Sequence, residues 1–235
     1  SYLSEDSNDN PWQDRFESRK DYLMSDVFVN KLIGSGTSTL PEDPRLAKFA
    51  EPATTSATYI GAPYGASNSA TANYSFITND IISTSEAPLM IYTYSEVLFA
   101  RAEAAARAWT TEDASSLYEQ AITASMEQWG VASADIAVYI AANPYANMED
   151  IAYEKWVSLY MQGYNSWSEW RRFKAEGNDG RINLVAPADL LSNATDIPQR
   201  HGYSATASAL NEASYNTAIG AQGADNLDTK IWLFK

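Results

Sequence analysis

The sequence predicts a mainly α-helical fold with long ordered loops and little strand. Through 94–175, apolar residues recur every three to four positions, the spacing that places them on one helix face. Alanine is frequent among them, and its small side chain lets helices approach closely on more than one side. Before and after that stretch, Gly, Pro, Ser, Thr and Asn break any period. Scattered Tyr, Phe and Leu anchors remain there, so these parts read as ordered loops.

Taken in order, residues 21–33 form a short helix with Tyr22, Phe28, Val29 and Leu32 on a loose apolar face. Gly34-Ser35-Gly36 should stop it. A turn-rich corner follows at 41–45. Residues 51–79 are Ala, Thr, Ser, Gly and Asn punctuated by Tyr59, Tyr64, Tyr74 and Phe76, a long structured loop with a short strand at 74–77. A first long helix covers 94–109. Thr110, with Asp113 three residues on, is the expected N-cap of a second at 112–129. That helix buries Leu117, Ala121, Ala124 and Met126 and stops at Gly130. A third covers 134–142 and ends before Pro144. Asn147 caps a fourth at 147–162, with Glu149 and Asp150 complementing its dipole, and a fifth covers 164–173. Two helices joined by a tight turn form a tetratricopeptide-type hairpin, although no internal period repeats it. The last sixty residues return to turn chemistry at Gly177, Gly180, Pro187, Pro198, Gly202, Gly220 and Gly223.

Composition excludes several functions. Sixteen basic against thirty acidic residues give a net charge of −14, which argues against nucleic acid as a partner. There is no cysteine, hence no disulfide, thiolate metal site or cysteine nucleophile. His201 is the single histidine, no metal-ligand spacing surrounds it, and no G-x-S-x-G elbow exists. His201 therefore reads as a surface or hydrogen-bonding residue, and neither a metal nor a cofactor is expected. A glycosidase needs two carboxylates, and Glu96 with Glu103 or Glu149 with Glu154 share helix faces. Structural roles fit them better: Glu149 serves the helix dipole, and Glu103 is expected to form a buried ion pair with Arg101. What remains is aromatic. Seven Trp, fifteen Tyr and seven Phe give rings whose faces stack on sugars. Trp129, Trp156 and Tyr160 read as core, whereas Tyr59, Tyr64 and Tyr74 serve either as a ligand platform or as pegs for their loop. The apolar run 87–94 is too short to span a bilayer, and the polar opening residues 1–10 suggest that a preceding segment has been removed.

Several segments, in order, resemble the SusD/RagB family. Tyr94-Ser95-Glu96-Val97-Leu98-Phe99-Ala100-Arg101-Ala102-Glu103-Ala104 resembles that family's Y-x-E-V-L-F-x-x-A-E-A helix. Asp43-Pro44-Arg45-Leu46 is similar to its D-P-R-L corner, and Tyr59-Ile60-Gly61-Ala62-Pro63-Tyr64-Gly65 to a Y-x-G-x-P-x-G stretch of one branch. Glu154-Lys155-Trp156 followed by Trp167-Ser168-Glu169-Trp170-Arg171-Arg172 is similar to the helix ending in W-x-E-W-R-R. Ile197-Pro198-Gln199-Arg200, Tyr203, Asn211, Asn216 and Ile231-Trp232 match its C-terminal pattern. Phe173, Ser204, Ala207 and Leu233 depart from it.

The resemblance implies the C-terminal half of a nutrient-binding outer-membrane lipoprotein, on the cell-surface side. The other half would carry the lipid anchor, the only membrane attachment, and helical repeats covering apolar faces left exposed here. In this reading 1–92 is a loop-rich segment on the ligand side, 93–175 the helical-repeat core and 176–235 a C-terminal loop-rich wrap, all one incomplete domain. Function is non-catalytic capture of an oligosaccharide for import through a SusC-like TonB-dependent transporter. The alternatives are a peptide ligand or a glycoside hydrolase using paired carboxylates. Tyr59, Tyr64 and Tyr74, with Asn68 and Asn73 as hydroxyl partners, are the expected ligand contacts. Glu103, Arg171 and Arg172 are expected to be structural.

Overall fold

The computed structural model describes residues 8–18, 22–34, 42–66, 70–187, 189–190 and 194–234. Among them are eleven α-helices and a single two-stranded antiparallel sheet. The helices are α1 (Pro11–Ser18), α2 (Asp26–Ile33), α3 (Leu46–Phe49), α4 (Asn79–Ile82), α5 (Tyr94–Ala106) and α6 (Ala114–Gln128). They continue with α7 (Ser133–Ala142), α8 (Met148–Ser158), α9 (Gly163–Ala175), α10 (Ala207–Leu210) and α11 (Glu212–Gln222). Strands β1 (Ala50–Glu51) and β2 (Phe76–Ile77) pair with Ala50 opposite Ile77.

The expected helices form, with shifted ends. Helix α5 stops three residues short of 109, because Ala108 turns left-handed and the Trp109 N–H returns to the Ala104 carbonyl. Asp113, not Thr110, caps α6: its carboxylate accepts from the Ser116 N–H at 2.7 Å. Gly130, at φ +68°, ends α6 in a Schellman turn closed by Val131 N–H to Met126 O. Asn147 caps α8 in a capping box with Asp150. Helix α8 ends at Ser158 rather than 162, where turns through Leu159 and Gln162 redirect the chain into α9. Ser25 caps α2, and Gly34 ends it at φ +75°. Residue 21, the expected start, lies outside the described residues, as does Gly36.

Two cores share α8. On one side α5 and α6 pack as a hairpin, Leu98, Phe99 and Ala102 meeting Leu117, Tyr118, Ala121 and Ile122. On the other, Val29, Leu32, Leu46, Phe49, Trp156, Trp170 and Phe173 join α2, α3, α8 and α9. Every residue of α8 from Asp150 to Ser158 is buried, so its charged groups need partners inside the protein. Trp156 belongs to this core as expected, while Trp129 and Tyr160 lie at its rim, Tyr160 stacking on Phe49 at 4.1 Å.

The long loop is ordered by backbone pairing of three extended segments. Met24 N–H bonds Ser75 O, Ser75 N–H bonds Ile60 O, and Ala62 exchanges bonds with Met24 and Asp26. A Cβ at Gly61 would lie 2.3 Å from Asp26 Cα, so glycine is required there. Beyond it, the run Leu89, Ile91, Tyr92 and Tyr94 is exposed.

Candidate functional site

The family-like charged residues build a frame. Arg45 is fully buried, with Asp43 and Glu154 each 2.6 Å from Nη2 and Ser125 Oγ 3.2 Å from Nη1. Tyr139 OH donates to the other Glu154 oxygen at 2.7 Å. A second set ties α5 to α9. Arg172 grips Glu103 with two bonds of 2.6 and 2.7 Å, and Glu103 also receives Arg107, which reaches Glu176. The expected Arg101–Glu103 pair is absent: residues two apart point to different helix faces, and Arg101 pairs with Glu112 instead. Glu169 links Arg172 at 2.7 Å to Lys155 at 2.6 Å. Burial pushes the Glu169 carboxyl up, but the Arg172 hydrogen bond and the Lys155 ammonium outweigh it and hold its pKa below the usual range.

This frame fixes the start of α9 over the C-terminal segment. Trp170 and Phe173 point into the core, which turns Tyr164 and Trp167 toward the segment 197–201. Trp167 donates its indole N–H to Pro198 O at 2.8 Å. Arg171 stacks 3.7 Å from the Trp167 ring centre and 4.7 Å from that of Phe234, and donates to Gln199 O and Ser168 Oγ. The Gln199 and Arg200 N–H groups both bond Leu227 O. Together these elements leave an open groove of about 610 Å³ lined by Gly163, Tyr164, Trp167, Pro198, His201 and Leu227, with Arg200 in its wall.

Tyr164 is 72% exposed at the rim. The exposed His201 ring sits 5.4 Å from Trp167 and 5.9 Å from Tyr164. Arg200 is buried, bonded to Asp225 at 3.0 Å and to His201 O at 2.9 Å. Among the described residues no carboxylate lines the groove. Flat rings on an open apolar strip, with donors at its edge, can hold a sugar face by stacking. A second, smaller cavity of about 220 Å³ lies between Trp12, Lys48, Asp80, Leu89, Trp129 and Met161, with one acid in its wall.

The expected tyrosine surface lies elsewhere. Tyr59, Tyr64 and Tyr74 are each half-buried, and no ring contact joins any two of them. Tyr59 packs against the main core; burial, then Glu42 and Glu51, push its phenol pKa up. Burial, then Asp26 and Asp196, do the same for Tyr64. Asn73 is exposed and accepts from Thr55 Oγ at 3.2 Å. Asn68 lies outside the described residues. A Cβ on Gly65 would meet Pro187 at 2.4 Å, so this loop rests on the same C-terminal wrap that forms the groove. Sequence reasoning missed Tyr164 as an open ring. Its signal was the i, i+3 spacing to Trp167, which puts both on one helix face.

A family model for SusD-like proteins, described as starch-binding and associating with the outer membrane, matches residues 1–204. The chain is similar to a chitin-binding SusD homologue from Flavobacterium johnsoniae, at 22% identity and a TM-score of 0.77, over 99% of this chain and 54% of that one. It is also similar to a SusD homologue from Bacteroides vulgatus, at 22% identity and a TM-score of 0.74, over 100% of this chain and 53% of the other. A third structure, a chitin-binding protein, has 24% identity and a TM-score of 0.70, over 89% of this chain and 49% of its own. This chain thus spans about half the length of those structures. At such identities the likeness establishes a common fold. No curated protein matches the chain.

Proposed function

We propose a role that proceeds from family membership: the chain belongs to the SusD-like family, and it holds a glycan in the Tyr164–Trp167–His201 groove without catalysing its cleavage. The observation that carries this reading is the groove itself, an exposed aromatic strip with a buried arginine at its edge and, among the described residues, no carboxylate in its wall. Family members associate with the outer membrane. The finer parts of the proposal are the cell-surface side, a lipid anchor, and transfer of the glycan to a SusC-like TonB-dependent transporter. No step of this role needs a cofactor or metal.

Tyr59, Tyr64 and Tyr74, with Asn68 and Asn73, form a proposed second contact surface. Contact of the Gly65 turn with Pro187 supports it, because it brings that loop onto the wrap carrying Pro198 and His201. Glu103, Arg171 and Arg172 act structurally in this proposal, their bonds holding α9 in place. Isothermal titration against a panel of oligosaccharides tests the reading. Tyr164→Ala should weaken binding about tenfold, since a stacked ring is worth roughly 0.5–1.5 kcal/mol beyond its area. Unchanged affinity in Tyr164→Ala with loss in a Tyr59→Ala/Tyr64→Ala double variant would move the site to the loop. Release of labelled products from the glycan would instead favour a hydrolase, and binding of peptides alone would overturn the glycan assignment.

A further inference from the structure

The groove carries a charge pattern opposite to that of the protein. The chain has a net charge of −14, yet Arg200 in the groove wall and Arg171 stacked on the Trp167 ring have between them one carboxylate among the described residues, Asp225 on Arg200. Arg200 and Arg171 are 7% and 8% exposed. Asp225 pairs with Arg200 through Nη2, and His201 O takes Nε, while Nη1 has no acceptor among the described residues. Arg171 has no carboxylate within ion-pair distance among the described residues; its partners are the Gln199 carbonyl, Ser168 Oγ and the faces of Trp167 and Phe234. Its Nε is also without an acceptor. Burial acts unopposed on Arg171 and lowers its pKa from the ordinary value. Both arginines grip the same short segment, Arg171 through the Gln199 carbonyl and Arg200 as the next residue.

A buried guanidinium without a counter-charge is costly, and elsewhere this protein avoids the cost. Arg45 has two carboxylates, Arg172 has Glu103 and Glu169, and Arg181 has Asp150. Among the described residues Arg171, stacked on the Trp167 ring, has no such carboxylate, so one positive charge is left over beside the Arg200–Asp225 pair of the groove wall. The apolar rings lining the groove lower the local dielectric and lengthen the reach of the charge.

Resting on the glycan reading above, we infer that the groove selects a glycan bearing anionic groups. The sugar ring lies against Tyr164 and Trp167, and its anionic substituent faces the Arg200 edge, where Nη1 is buried and has no acceptor among the described residues. The shared chemistry is an oxyanion held by a guanidinium, supplied either by the carboxylate of a uronic acid or by a sulfate ester. A neutral glucan or chitin fragment would gain the stacking and leave the charge unanswered.

Isothermal titration of the whole chain with three matched oligosaccharides decides this: an oligogalacturonate, a sulfated galactan fragment and a maltooligosaccharide of equal length. An anionic ligand should bind at least about tenfold more tightly than the neutral one at low salt. Raising salt from about 0.05 M to about 0.5 M should erase most of that difference and leave neutral binding nearly constant. The tighter of the two anionic ligands identifies the substituent. Arg200→Gln should remove the preference; circular dichroism establishes whether that variant folds, and the salt series on the unaltered chain stands if it does not. Equal or tighter binding of the neutral oligosaccharide overturns the anionic selection and leaves the glycan reading intact. No binding by any of the three, or anionic binding that Tyr164→Ala does not weaken, overturns the groove as a glycan site and this inference with it.

Discussion

Replacing Arg45 by methionine tests the buried frame on which everything else rests. The guanidinium is fully buried and bonded to Asp43, Glu154 and Ser125, so Arg45→Met leaves two carboxylates close together in a fully buried site. Methionine roughly refills the methylene volume, which isolates the electrostatic loss from a cavity effect. Removing one partner of a buried ion pair costs about 3–5 kcal/mol. For a chain of this size each kcal/mol moves the melting midpoint by about 2–4 °C, so a drop of roughly 6–20 °C is expected. Thermal unfolding followed by circular dichroism at neutral pH reads it directly. Glu154→Gln keeps the shape and an acceptor for Tyr139, whose hydroxyl donates to Glu154 at 2.7 Å. In the double variant Arg45→Met/Glu154→Gln one stranded charge is gone, so the two losses should be sub-additive by about 0.5–3 kcal/mol. If Arg45→Met melts within about 2 °C of the parent chain, or if the losses simply add, the triad is not what holds α8 to the 43–45 corner.

Four further outcomes are expected. Gly61→Ala places a Cβ 2.3 Å from Asp26 Cα and should cost about 1–3 kcal/mol or prevent folding. Gly163→Ala meets nothing within 4 Å and should be neutral or stabilising by up to about 1 kcal/mol, as urea midpoints would show. The Glu169 pKa lies below its ordinary 4.5 in the folded chain, so its contribution is present above that value and is lost as pH falls through the folded pKa. Glu169→Gln should therefore start less stable and lose less on acidification from about pH 6 to about pH 3; parallel acid limbs would contradict the Arg172 and Lys155 assignment. Tyr164→Ala, at a ring 72% exposed, should leave the melting midpoint within about 2 °C while weakening glycan binding, and a large loss of stability would mean that the ring is part of the core.

Local signals made the helical part legible. The 3.6-residue period, the Asn147 capping box and the Gly130 turn all act within a few residues, and α5 to α9 appear where those signals put them. Where two local signals competed, the sequence left the choice open: Thr110 and Asp113 are both capping residues, and only the extended backbone at Asp113 made it the cap. Helix α1 had its start signal, Asn10 before Pro11, with Asn10 Oδ1 accepting from Trp12 N–H at 2.9 Å, but the helix is too short to show a period. Helix α11 was hidden for the opposite reason. None of its residues is buried, so it has no apolar stripe, and it is held by Tyr215 to Asp225 and Gln222 to the Lys230 carbonyl.

The site lies at the level the sequence encodes least directly. Glu103 meets Arg172 across 69 positions, and although the i, i+2 spacing disfavours Arg101, no local rule names the distant partner. The groove needs three distant pieces at once: Tyr164 and Trp167 from α9, Pro198 to His201, and Leu227. His201 looked isolated because its neighbours in space are 34 and 37 positions away in sequence (201 − 167 and 201 − 164). Yet the residues that bring the pieces together were the ones whose pattern stood out. Arg172 locks α9 to α5, Arg171 locks α9 to Gln199, and Arg45 locks the 43–45 corner to α8. A motif made of such clamps marks the frame, and the groove's rings lie beside the clamps, Trp167 within the motif and Tyr164 just before it. For a protein of this design, ligand residues are therefore best sought one and two helical turns before the motif arginines, on the helix face that carries Arg171. Tyr164 and Trp167 occupy that place relative to Arg171, with Trp167 four residues before it and Tyr164 seven.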